Sequence, residues 1–166
     1  RYDEQLDWLL EQYEAHAKLQ RFSADLNHFY CSHPSLFEIE REQGEWQGFC
    51  WLNAEDAANS VLSFERISRD KTEKIVVVLN FTPVERKKYQ VGVLDPGEYE
   101  VALSTNQKSY GGDGRGTRRV KTKEKPCRGF SHSMELSLPP LTAYYLKWLP
   151  NSAENKKKKS EKQEQA

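Results

Sequence analysis

Carboxylates, imidazoles, thiols and large aromatic faces are the side chains of this chain that could do chemistry, and their spacing decides which reactions are open to it. Acid/base chemistry at a glycosidic bond needs two carboxyls facing each other, roughly 5 to 9 Å apart. Asp3, Glu4, Glu11 and Glu14 fall on helical faces, and Glu55, Asp56 and Asp95 fall at strand ends. Carboxylates in such places ordinarily serve as solvated surface or as caps, so no catalytic pair is read here. His16, His28, His33 and His132 lack the serine and aspartate partners of a nucleophilic triad and read as structural. Cys31, Cys50 and Cys127 are odd in number, widely spaced and free of any C-x-x-C pair. Neither a disulfide framework nor a zinc site is indicated, and buried free thiols are expected. The cluster Tyr110-Gly111-Gly112-Asp113-Gly114-Arg115-Gly116 lacks the Gly-Lys-Ser/Thr ending of a phosphate loop, and no helical pattern follows it. It reads as a long loop between strands. Asn80-Phe81-Thr82 has the form of a glycosylation sequon but ends an apolar strand, and is discounted. Trp8, Trp46, Trp51 and Trp148 remain, flat faces of the size on which a sugar ring stacks. A tryptophan in an all-β domain is nevertheless more often packing than binding.

The elements that must position these residues change type along the chain. Leu19, Phe22, Leu26, Phe29 and Tyr30 recur three and four apart, which predicts one face of a helix running to about Cys31 and ended by Pro34. Leu6, Leu9, Leu10 and Tyr13 predict a helical turn or two before it. Neither stripe has a partner within its own segment, so both must pack on something else. From Trp46 onward, short strands alternate with turn residues: 46–52, 61–68, 74–81, 88–93, 98–103, 118–123, 133–138 and 141–148. The run Ile75-Val76-Val77-Val78-Leu79 is apolar on both faces and predicts a central strand, whereas Tyr89, Val91 and Val93 alternate with polar neighbours like a half-exposed one. Pro96-Gly97 and Pro139-Pro140 supply breaks. Residues 150–166 hold no large apolar anchor and are expected to be a disordered, charged tail.

At 166 residues the chain has room for one main core with appendages. Lys+Arg and Asp+Glu are both 25, so no global basic field recruits nucleic acid or anionic lipid. The Lys156–Lys159 run lies among Glu154, Glu161 and Glu164 and reads as a solubilising feature. No apolar run approaches the roughly 20 residues of a membrane span. The start, Arg1-Tyr2-Asp3-Glu4, is not a secretory signal, and the expected location is the cytoplasm.

A set of short strings now stands in order along the chain: Leu6-Asp7-Trp8, His16 with Leu19-Gln20-Arg21, Asp25-Leu26-Asn27, Gly48-Phe49 with Trp51, Ser60-Val61-Leu62-Ser63-Phe64, Asn80-Phe81-Thr82-Pro83-Val84, Tyr110-Gly111-Gly112 and Leu138-Pro139-Pro140-Leu141. In order and spacing they resemble the C-terminal portion of bacterial 1,4-α-glucan (glycogen) branching enzymes, members of the α-amylase superfamily. The resemblance covers residues 6 to 148. Three positions depart from the family pattern: Lys18 stands where Gly is usual, Glu85 where a second Pro is usual, and Asp113 where Ser is usual.

The resemblance implies a mainly β fold: a C-terminal antiparallel β-sandwich of about eight strands (41–149), preceded by the last α-helices of a (β/α)8 barrel (1–40) that is otherwise absent. A barrel takes about 250 residues, so the family's catalytic carboxylates would lie upstream of Arg1, with none in this segment. The parent enzyme would move an α-1,4-glucan segment, through a covalent glycosyl enzyme, to a glucan 6-hydroxyl in glycogen. No cofactor and no metal is implied. The partners would be α-1,4-glucan and the upstream catalytic barrel, with no nucleic acid or membrane involved. Asp7 and Trp8 would sit on a loop at the substrate face of the barrel, and two readings of Trp8 stand side by side: a glucan contact, or packing between helix and barrel. Two functional readings also follow for the chain: the end of a glycosyltransferase, inactive by itself, or a free-standing glucan-binding or regulatory module.

Overall fold

A computed structural model describes residues 3, 5, 7–38 and 48–150 of the chain. Period-two alternation of apolar and polar residues puts a strand's apolar set on one face, and two such faces close on each other as a sandwich. Among the described residues eight strands do so: β1 Phe49–Asp56, β2 Val61–Ile67, β3 Lys74–Asn80, β4 Arg86–Val93, β5 Glu98–Ser104, β6 Arg119–Lys121, β7 His132–Leu138 and β8 Ala143–Leu149. The larger sheet runs β1-β2-β3-β8-β5-β6, the smaller is the β4-β7 pair, and every strand pairing is antiparallel. The core lies between them, where Leu52, Val61, Val76, Val78, Tyr99, Tyr144 and Leu146 of the larger sheet meet Val91, Val93, Met134, Leu136 and Leu138 of the smaller. Full burial of each such aliphatic side chain is worth about 1.5 to 3 kcal/mol. As its two apolar faces require, β3 is central, between β2 and β8.

Differences from the sequence expectation lie at element ends. Trp46 and Leu6 fall outside the described residues, as does the tail from Asn151. β1 continues to Asp56 because two irregularities in its register, between Trp51 and Asn53 and between Asn53 and Asp56, carry the strand past the point where alternation breaks. β8 begins at Ala143, not Leu141, because prolines lack the N–H that a ladder needs and Leu141 sits at φ 47°.

Trp8–Gln12 form a 3-10 turn, followed by the helices α1 Glu14–Ser32 and α2 Pro34–Phe37. Pro34 ends one helix and starts the next, since the first helical position needs no N–H. No residue of α1 is fully buried; Phe22, Leu26, Phe29 and His33 are half-buried along one stripe. That stripe meets the outer face of the larger sheet: the Phe29 ring stands edge-on to Tyr145 of β8 at 5.5 Å, and α2 lies against β2 and β3. The α1–α2 elbow is tied down by Glu73, whose carboxylate accepts from Ser35 N (3.2 Å) and Ser35 Oγ (2.9 Å), and by Arg66, which donates to the carbonyls of Ser35 (3.0 Å) and Glu38 (2.9 Å). The helical stripe therefore finds a partner within the chain. Leu19 (61% exposed), Tyr13, Tyr30 and Phe37 nevertheless remain open to solvent.

Candidate functional site

Asp7 and Trp8 stand together at the far N-terminal end of the helical segment. Asp7 is the N-cap of the 3-10 turn, its Oδ1 accepting from Leu9 N at 3.1 Å. A hydrogen bond from Gln20 Nε2 to Glu11 Oε1 (2.7 Å) fastens this turn to α1. Trp8 is 67% exposed and is followed by the exposed Leu9 and Leu10, so its indole is a free face. Burying an indole releases a large apolar area from water, so a face left this open is one that a ligand or another surface can cover.

The strings that carry the resemblance meet in space. Asn80, buried at the end of β3, donates through Nδ2 to the carbonyls of Val84 (2.9 Å) and Pro139 (2.8 Å), while its Oδ1 accepts from Thr82 N (3.1 Å) and Thr82 Oγ1 (2.8 Å). Leu141 N donates to Thr82 O at 2.9 Å and Phe81 N to Ser60 O at 3.1 Å. The sequon-like triplet is thus a structural knot, with its asparagine amide spent inside it. The glycine cluster follows a short 3-10 turn, Lys108–Tyr110, closed by Gly111 at φ 95°. A Cβ on Gly112 would lie 2.3 Å from Asn106 O, so only glycine lets the loop fold back on itself. Asp113, at one of the departures from the family pattern, accepts from Arg115 Nε (2.8 Å) and Asn106 Nδ2 (2.7 Å); the Arg115 bonds lead in holding its carboxyl down at about 2.

One carboxyl differs from the sequence reading and a second, Glu65, is not picked out by it. Asp56 is buried, not solvated: it accepts from Tyr89 Oη (2.6 Å) and Asn59 Nδ2 (2.9 Å) and is ion-paired with Arg128 Nη2 (3.2 Å). Burial pushes its pKa up, but the bonds from Tyr89 and Asn59 and the charge of Arg128 outweigh that and leave it below the ordinary value. Glu65 is fully buried on the inner face of β2, and neither of its oxygens has a hydrogen-bond partner among the described residues. Burial first, then the nearby Asp95 carboxylate, push it up to about 7, against the pull of Lys74. Lys74 is itself ion-paired to Asp95 and lies 5.0 Å over the Trp148 ring. Glu65 and Asp95 therefore share a neighbourhood, but Glu65 is sealed on the inner face of the sandwich while Asp95 is partly exposed, so the two carboxyls cannot flank a sugar. The signal for Glu65 was present: alternation from Val61 through Ser63 puts it on the core face.

Other expectations change as well. Cys31 is exposed and Cys50 and Cys127 are half-buried, free thiols outside the core because they lie on α1, in the edge strand β1 and in the segment between β6 and β7. His33 is held structurally, its Nδ1 2.8 Å from Phe29 O. Trp51 is 52% exposed, not core packing, because β1 is an edge strand and Trp51 points to its outer face. There it stands edge-on to Phe49 at 5.0 Å and to Phe64 at 5.8 Å, and Arg66 lies 5.9 Å over Phe49. This aromatic trio is a second exposed flat surface. The cleft of about 500 Å³ beside β5, lined by Asn106, Gln107, Arg115, Thr117 and Tyr144, offers hydrogen-bonding groups, but its tyrosine ring is buried. Among the described residues no group of His, Cys, Asp and Glu is arranged to hold a metal ion, and no helix is long and apolar enough to cross a membrane.

Comparison with known proteins agrees with this geometry. Residues 51–148 match the family described as alpha amylase, C-terminal all-beta domain. The chain is 41% identical over 147 residues to a 1,4-alpha-glucan branching enzyme of Pseudomonas fluorescens, covering 88% of this chain and 19% of that protein. It is 39% identical over 137 residues to the enzyme of Trichodesmium erythraeum (82% and 17%), and 33% identical over 147 residues to that of Halothermothrix orenii (88% and 23%). It thus spans about a fifth of the length of the curated relatives it matches. With two antiparallel sheets, eight strands and a family match covering nearly all of them, the chain belongs to the alpha-amylase C-terminal all-beta domain family.

Proposed function

We propose that this chain forms the C-terminal part of a 1,4-α-glucan branching enzyme. In this reading an upstream (β/α)8 barrel supplies the catalytic carboxylates, the helices and sandwich cover and stabilise that barrel, and Asp7 and Trp8 touch the glucan. The observation that carries it is the similarity, across more than four-fifths of the chain, to relatives that bear that name. The exposed apolar side chains of the helical segment add support, since Trp8, Leu9, Leu10, Tyr13 and Leu19 form a surface that a monomeric sandwich has no reason to leave open. In this reading the segment is inactive alone, because the barrel's carboxylates lie outside it and Glu65, which the charge of Asp95 reaches, is sealed inside the sandwich and unable to face a sugar.

Trp8 acts here as a stacking platform for the apolar face of a glucose ring, and the cap formed by Asp7 fixes the turn that presents it. Two measurements test the reading. An immunoblot of the source cells with antibody against residues 41–149 should show a polypeptide several times larger than 19.3 kDa; a band at that mass means a free-standing module instead. In the polypeptide those cells make, Trp8→Ala should weaken glucan binding by roughly 3- to 30-fold, the loss typical of removing an aromatic anchor. Unchanged affinity and branching rate in that variant would sink the contact.

A further inference from the structure

Two of the strings in the sequence, Asp25-Leu26-Asn27 and Tyr110-Gly111-Gly112, are 85 residues apart and meet at one point. Tyr110 Oη donates to Asp25 Oδ2 at 2.7 Å, and its ring stands edge-on to Phe22 at 5.2 Å. The loop is built to hold the phenol there. The preceding 3-10 turn ends in left-handed Gly111, Gly112 is closed against Asn106, and Asn106, Asp113 and Arg115 are cross-linked behind it. On the helix side, α1 is anchored at its far end by the Glu73 and Arg66 contacts and at Phe29 by Tyr145. Tyr110 therefore supplies the hold nearer the end that carries Asp7 and Trp8. Among the described residues, α1 without it is held to the sandwich mainly from its other end.

We infer that Tyr110 is a positioning residue: through Asp25 and Phe22 it fixes the angle at which α1 leaves the sandwich, and so where the Trp8 face stands relative to glucan. The inference rests on the Trp8 contact proposed above. A charge-assisted hydrogen bond is the stronger kind, and losing it frees the helix without removing a group that touches ligand.

The test measures maltoheptaose binding in the polypeptide that the source cells make. Tyr110→Phe, which keeps the ring on Phe22, should bind about three- to tenfold more weakly, and combining it with Trp8→Ala should weaken binding no further than Trp8→Ala alone. Asp25→Asn keeps an acceptor for the phenol and should lose less than Asp25→Ala. Amide exchange should quicken in residues 8–24 of Tyr110→Phe while the strands keep their protection. Wild-type affinity in Tyr110→Phe beside lost affinity in Trp8→Ala overturns the positioning role and leaves the Trp8 contact standing. Additive losses in the double variant overturn it too, because they mean that Tyr110 stabilises the fold without aiming Trp8. Wild-type affinity in Trp8→Ala removes the glucan contact itself, and the role of Tyr110 with it.

Discussion

Glu65 and Asn80 show how differently two buried polar side chains can sit in one sandwich. Asn80 has both ends of its amide matched, Nδ2 to the carbonyls of Val84 and Pro139 and Oδ1 to the amide and hydroxyl of Thr82, so truncation strands those carbonyls. Asn80→Ala should lower unfolding stability by roughly 2 to 3 kcal/mol in urea titrations. Glu65 has no such partners and keeps its proton to about pH 7. The sign follows from proton uptake. The native carboxyl binds its proton more tightly than the unfolded one, so its contribution is fully present below about pH 4.5 and is lost as pH rises towards 7. The loss is on the order of 3 kcal/mol across that window. Glu65→Gln should remove this slope, read as the difference between variant and wild type in unfolding free energy at pH 5 and pH 7.5. Identical pH profiles would mean that Glu65 is ionised and paired in solution.

At the scale of elements, the glycine loop behaves as a rigid bracket. Gly112→Ala would put a Cβ within 2.6 Å of three backbone atoms of Asn106, none of which is a flexible side-chain end. It should cost about 1 to 3 kcal/mol, the usual range for overpacking. It should also raise amide exchange in residues 106–116 and, through Tyr110, in the facing turns of α1. A stability loss with α1 protection unchanged would mean that loop and helix are not mechanically joined. The apolar face of the helix is wider than its contact with the sheet: Phe22, Leu26 and Phe29 are half-buried, while Leu19 and Tyr30, at the other margin of the same face, stay exposed.

The molecule as a whole presents apolar surface on the helical side, from Trp8 through Tyr13 and Leu19 to Tyr30 and Phe37, and at Phe49 and Trp51 on the sheet edge. If the rest of a longer polypeptide normally covers this side, the 166-residue chain alone should bind an apolar dye and self-associate at micromolar concentration in sedimentation runs. Leu19→Lys with Leu9→Lys should relieve that association without lowering stability, since neither side chain is buried. A wild-type chain that stays monomeric and dye-free would count against a covering partner.

Apolar periodicity by itself determined the strand count, the central place of β3 and the helix on which Phe22, Leu26 and Phe29 share a face, because burial on one side of an element writes a period of 2 or 3.6 into the residues. Asp7 and Trp8 are singled out by the resemblance, which periodicity does not carry. Only tertiary structure decided that Trp51 is exposed, since edge or centre is a property of strand order and not of the strand. Tertiary structure likewise decided that Asp56 is buried among Tyr89, Asn59 and Arg128, and that Tyr110 reaches Asp25. Such contacts join residues dozens of positions apart, and no local pattern records them; they exist once the two sheets have closed and the glycine loop has turned back onto the helix.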